Sequence, residues 1–167
     1  MTAGRGIVHS ERTAPERRDI GDTLHGLQCW VALPADKEEI EPSFFHRNAE
    51  DLPLVSDRGF TARVVAGHAF GARSPVVTAS DTVFADVVME AGTMIPLDAD
   101  YEERAIYIVN GEIEIANDRF TGPKLLVFRP GDRIAVRAVT ASRIAILGGA
   151  ALDGPRHIWW NFVSSRK

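Results

Sequence analysis

The strongest constraint on how this chain can fold is a succession of short β-prone runs cut apart by turn residues. Phe60 to Ala66, Val83 to Met89, Ala105 to Val109, Glu112 to Ala116, Lys124 to Phe128, Arg133 to Val139 and Arg143 to Leu147 are rich in β-branched and aromatic residues. Such runs bury one face only by stacking against others, so their spacing points to a sandwich or barrel. No convincing helix of ordinary length interrupts them. Fourteen Gly and nine Pro in 167 residues supply the punctuation. The fold class expected is therefore all-β.

Local signals sharpen the outline. In Tyr107-Ile-Val-Asn-Gly-Glu-Ile-Glu-Ile115 the Asn110-Gly111 pair predicts a type I′ turn, and the alternation of Ile113 and Ile115 with Glu112 and Glu114 predicts a hairpin with one buried and one wet face. Arg129-Pro-Gly-Asp132 predicts a reversal between two strands. Near the start, Leu27 to Leu33 is an apolar run stopped by Pro34 and reads as a strand leaving into a loop. Asn48 to Pro53 and Ser56 to Gly59 are polar and turn-rich, which places a domain boundary near Asp57 and divides the chain into residues 1–56 and 57–167. The tail His157 to Val163, dense in large β-formers, should pack onto the sheet.

Composition removes several classes of function. Hydrophobic residues at 45% and charged residues at 25% suit a globular protein with a real core. A net charge of −4, with acidic and basic residues interspersed, offers no basic stripe, so direct nucleic-acid binding is not expected. Cys29 is the only cysteine, which excludes an intrachain disulfide and a thiolate zinc cluster and fits a reducing cytoplasm. No apolar run approaches the roughly 18 residues of a spanning helix, and the first residues lack a signal-peptide pattern, so no membrane role is expected.

The chemistry is concentrated in Thr2-Ala-Gly-Arg-Gly-Ile-Val-His9-Ser10-Glu11. If Ile7 to Glu11 is extended, His9 and Glu11 leave the same face, because side chains alternate with period two, and can converge on one ion. Imidazole with carboxylate and no thiolate suits iron, manganese or another divalent first-row metal. Two ligands alone bind weakly, and a bare His-x-Glu pair on a strand is more often a hydrogen-bonded polar pair.

The string Met1 to Glu11 closely resembles the pirin-family signature. The same register holds for His25-Gly-Leu-Gln-Cys-Trp-Val-Ala-Leu-Pro34, for Val65-Ala-Gly-His68 with Gly71 and Ser74-Pro75, and for Trp160-Asn-Phe-Val-Ser164. That resemblance implies cupin (jelly-roll) barrels: the last part of a metal-binding barrel in residues 1–56, followed by a nearly complete metal-free barrel in residues 57–167. It also implies an iron site held by three histidines and a glutamate, with His9 and Glu11 among the ligands. The family's other two ligands come from a His-x-His pair upstream of the signature, which this sequence does not include, so this chain is expected to carry half of the metal site. A further helical segment follows the Asn-Phe-Val-Ser motif in the family and is likewise absent from this sequence.

Within residues 92–104, Asp98 and Asp100 stand where a cupin His-x-His would sit, and Arg104 where the glutamate would sit. The second motif's histidine position, near Ile134, is apolar. An arginine opposes a bound cation, so no metal is expected in the second barrel. His25, His46, His68 and His157 sit at no ligand spacing and are read as surface or hydrogen-bonded residues. Trp159 and Trp160, adjacent on an expected strand, face opposite ways. Cys29 reads as a core strand residue.

The resemblance to bacterial quercetinase-like pirins implies dioxygenation of a flavonol-like aromatic substrate with dioxygen. His9 and Glu11 would hold Fe(II) or a similar divalent metal, and Glu11 would also be catalytic, accepting the substrate hydroxyl proton. The rival readings are a non-catalytic, protein-binding adaptor resembling pirins that act as transcription co-regulators, and an inactive fragment. Unpaired sheet edges predict self-association.

Overall fold

The computed structural model describes residues 1–21, 23 and 25–167. The chain divides into two compact units, residues 46–151 and residues 1–45 with 152–167. The larger unit begins ahead of the boundary expected near Asp57. The reason is local pairing: β1 (Leu54–Asp57) lies antiparallel to β2 (Phe60–Ala66), with Leu54 opposite Arg63 and Asp57 opposite Phe60.

In the larger unit the chain continues through β3 (His68–Ala69), β4 (Ala72–Arg73), β5 (Thr82–Met89), β6 (Met94–Leu97) and β7 (Glu103–Asn110). It then forms β8 (Glu112–Ile115), β9 (Asp118–Thr121), β10 (Lys124–Phe128), β11 (Ile134–Ala138) and β12 (Ser142–Gly149). A six-stranded sheet runs β1-β2-β5-β12-β7-β10 and a four-stranded sheet runs β6-β11-β8-β9. Burial alternates along the strands as a two-layer all-β fold requires. On β5, Val83, Ala85, Val87 and Met89 are buried, and on β7, Arg104, Ile106 and Ile108 are buried. All of these but Arg104 meet Ile113 and Val136 of the smaller sheet in one hydrophobic cluster.

Asn110-Gly111 does not make the expected hairpin. β7 pairs with β10 and β12, whereas β8 pairs with β9 and β11, so the bend carries the chain from one sheet to the other. Only Gly111 has positive φ, at 87°, and Asn110 does not, which excludes type I′. The corner is tightly packed. A Cβ on Gly111 would lie 2.3 Å from Ser142 Oγ and 2.6 Å from the Ala141 carbonyl oxygen. The true hairpin joins β8 to β9 through Ala116 and Asn117, both at positive φ (51° and 70°).

The smaller unit carries little regular structure among its described residues. Thr2 and Ser43 form an antiparallel bridge, with N–H···O distances of 2.8 and 3.0 Å. Short 3-10 turns occur at Pro15–Arg17 and Ala35–Lys37. The run Leu27 to Leu33, expected as a strand, has none; Trp30 and Val31 are exposed, and so is Cys29, expected in the core. An apolar run becomes a strand only where a neighbour satisfies its N–H and C=O groups, and no strand pairs with this one among the described residues. The aromatic tail forms its own two-stranded sheet, β13 (His157–Trp159) with β14 (Phe162–Ser164), turning at Trp160 with φ 55°, instead of joining a barrel sheet. Trp159 stacks on Phe162 with ring centroids 6.2 Å apart.

Arg156 ties this tail to the segment after Leu33. Its Nε and Nη2 donate to the Leu33 carbonyl at 3.1 and 2.9 Å, Nε lies 2.9 Å from Glu38 Oε1, and Nη2 pairs with Asp153. Glu38 in turn accepts the Ser165 N–H at 2.7 Å and the Ser165 hydroxyl at 2.8 Å. The Ser165 hydroxyl and amide hydrogen bonds, with the charges of Arg156 and Arg166, hold the Glu38 carboxyl below its ordinary value. No helix among the described residues is long and apolar enough to cross a membrane.

Candidate functional site

His9 and Glu11 lie in the smaller unit, in a segment without a strand partner, and both are exposed. The turn before them is well defined. Gly6 N–H donates to Ala3 O at 2.9 Å and Arg5 N–H to Ile40 O at 3.1 Å. Gly4 lies so close to Ile40 that a Cβ there would meet its carbonyl oxygen at 2.0 Å. Glycine at this position thus serves close approach of two backbones. Beyond the turn, nothing among the described residues brings three His, Cys, Asp or Glu side chains within reach of one ion. An imidazole and a carboxylate suit a first-row divalent metal, but two exposed donors do not hold one, so these residues do not fit the group unaided.

The larger unit contains a cavity of about 380 Å³, within the size range of small-molecule sites. Asp98, Arg104 and Ile134, three of the positions matched above to cupin ligand positions, line it together. Asp100 does not line it; its N–H donates to Asp98 Oδ1 at 3.3 Å. Asp98 is exposed, whereas Arg104 is only 2% exposed. The Arg104 guanidinium donates from Nη1 to the Asp98 carbonyl at 3.3 Å and from Nη2 to the Arg129 carbonyl at 3.1 Å. Its Nε is buried without a hydrogen-bond partner.

Two further cavity residues escaped sequence reasoning. Tyr101, 7% exposed, accepts the His68 N–H at 2.9 Å and donates its hydroxyl proton to the His68 carbonyl at 3.1 Å, which fixes the start of β3 at the cavity wall. Tyr101 and His68 are 33 residues apart in sequence, so no local signal pairs them. His68, read from sequence as a surface or hydrogen-bonded residue, is half-buried on that wall, and its backbone makes those bonds.

The pirin C-terminal cupin domain family matches residues 84–167. The chain belongs to the pirin family. A pirin-like protein of Caulobacter vibrioides is 43% identical over the whole of this chain, which spans 58% of that protein. Two crystal structures of quercetin 2,3-dioxygenase from Acinetobacter baumannii are similar in fold. One superposes with a TM-score of 0.71 at 29% identity, covering 81% of this chain and 45% of that one. The other has a TM-score of 0.77 at 22% identity, covering 83% and 50%. This pirin chain thus spans about half the length of the relatives it matches, and its strands and sheets are those of an all-β cupin fold.

Proposed function

We propose that this pirin chain is part of a metal-dependent dioxygenase acting on flavonol-like aromatics, and that His9 and Glu11 are two of its metal ligands. The observation that carries the reading is the likeness to quercetin 2,3-dioxygenase over 81% of the chain. The donor types agree with it, since an imidazole nitrogen and a carboxylate oxygen two residues apart suit a divalent first-row metal. The remaining donors come from outside the residues present here. The same reading makes the unit of residues 1–45 and 152–167 part of the metal-binding barrel, the 46–151 unit the companion barrel, and the cytoplasm the protein's compartment.

The test uses the protein extended upstream through any His-x-His strand, loaded anaerobically with Fe(II) and then given quercetin and oxygen. Expected are near-stoichiometric bound iron, loss of the flavonol absorbance, and at least tenfold weaker iron retention in His9→Ala and Glu11→Ala. Iron retained equally by both variants would remove these residues from the site. Bound iron without turnover would favour the adaptor reading.

A further inference from the structure

The C-terminal barrel holds a buried cation with no acid opposite it. Arg104 has no ion pair among the described residues, and both of its hydrogen bonds go to backbone carbonyls. Buried guanidinium groups are ordinarily matched by a carboxylate, because desolvating a charge is costly unless a counter-charge replaces water. Glu102 and Glu103, just before it in sequence, are exposed, and Asp98, which shares the cavity, is exposed and turns its carboxylate to the Asp100 N–H. Arg133, exposed on the same cavity, adds a second positive charge. Phe70, Val83, Leu97 and Ile146 supply apolar wall.

We propose that this cavity is a binding site for a small organic carboxylate with an apolar or aromatic body. The carboxylate seats on Arg104, whose planar fork suits two-oxygen recognition, while the body fills the apolar wall. Arg133 draws the anion in from solvent. The site is independent of His9 and Glu11 and of the dioxygenase reading, since all its residues belong to the 46–151 unit.

The proposal is tested on the chain as it stands by titrating benzoate, benzamide and acetate and following amide shifts by NMR. Benzamide matches benzoate in shape without its charge, and acetate keeps the charge without the ring. Expected is saturable benzoate binding, at least tenfold tighter than either control, with shifts centred on β6, β7 and β11. Arg104→Met, which keeps the stem and removes the charge, should retain the wild-type far-UV spectrum and bring benzoate and benzamide within twofold. Equal binding of benzoate and benzamide by the wild-type protein, or no saturable benzoate binding, overturns the proposal even if Arg104→Met fails to fold. An Arg104→Met protein that folds and keeps the preference overturns it as well.

Discussion

The bend at Gly111 permits a quantitative test of how the two sheets are joined. Ala in place of Gly111 faces two separable penalties. At φ 87° an L-residue is strained by about 1–2 kcal/mol. In addition the new methyl would lie 2.3 Å from Ser142 Oγ, 2.6 Å from Ala141 O and 2.7 Å from Ser142 Cα. Two of these three atoms are backbone, so a rotamer change cannot relieve the overlap, and overpacking of this kind costs about 1–3 kcal/mol. Gly131 provides the control: its φ is 81°, and nothing lies within 4 Å of an added Cβ. Gly131→Ala therefore carries only the conformational penalty, and the entropy lost by the unfolded chain is the same for both variants and cancels. Expected losses are about 2–5 kcal/mol for Gly111→Ala and about 1–2 kcal/mol for Gly131→Ala. Urea unfolding followed by far-UV circular dichroism measures them. Tryptophan fluorescence would not serve, because Trp30, Trp159 and Trp160 all lie in the other unit. Equal losses in the two variants would refute the claim that the β7–β8 corner is closed by contact with the start of β12.

Other outcomes follow from burial and charge. Ile144, fully buried and opposite both Val87 and Ile108, should cost about 2–5 kcal/mol on truncation to Ala, by the same urea assay; a loss under ~1 kcal/mol would place it outside the core. The Glu38 carboxyl is held below its ordinary value first by the Ser165 hydroxyl, and Asp153 is held low by Arg156. Because both folded values are depressed, their stabilisation is complete above the ordinary carboxylate range, about pH 4, and is lost as pH falls through the lower folded values. The Ser165 amide resonance, hydrogen-bonded to Glu38, should titrate with a midpoint below that of a free glutamate, and Arg156→Met, which removes the charge, should raise it. An unchanged midpoint would mean that Arg156 exerts no field at Glu38. Trp159→Ala should remove the stacking on Phe162, worth about 0.5–1.5 kcal/mol, and increase amide exchange within β13 and β14 while leaving the barrel untouched.

The barrel was legible wherever a strand carries its own apolar run, the edge strand β10 included, and failed to show at the other three sheet edges. Phe60 to Ala66 and Lys124 to Phe128 match β2 and β10, and the apolar alternation of β5, β7, β11 and β12 made them visible to within a few residues. β6, β9 and β1 lie at sheet edges. β6 contains Pro96, which an edge tolerates, and β9 is Asp118-Arg-Phe-Thr121, whose polar residues face solvent, so neither shows the hydrophobic period that marks a strand. Asn110-Gly111 signalled a reversal but not the partner, since pairing is settled by non-local packing. Ala116-Asn117 made the real hairpin without a glycine. His9 and Glu11 stood out by family resemblance, while their geometry depends on neighbouring strands that local sequence does not specify.

The cupin spacing located the cavity of the 46–151 unit, and the same residues set its chemistry. Asp98 and Arg104 from one stretch and Ile134 from another line one space, so the fold keeps the place of a ligand site while altering the side chains in it. A unit charge near a protein surface acts on another about 4 Å away with about 4 kcal/mol, so a divalent cation beside Arg104 would meet about 8 kcal/mol of repulsion. A carboxylate at the same distance gains about 4 kcal/mol, before the desolvation cost it shares with the guanidinium. The sign of one buried side chain therefore decides which ligand the cavity accepts. Arg104→Glu should reverse that choice, abolishing benzoate binding and admitting Mn(II), read as broadening of the β6 and β11 amides. Manganese broadening of equal extent in the wild-type protein would show that Arg104 does not set the cavity's charge.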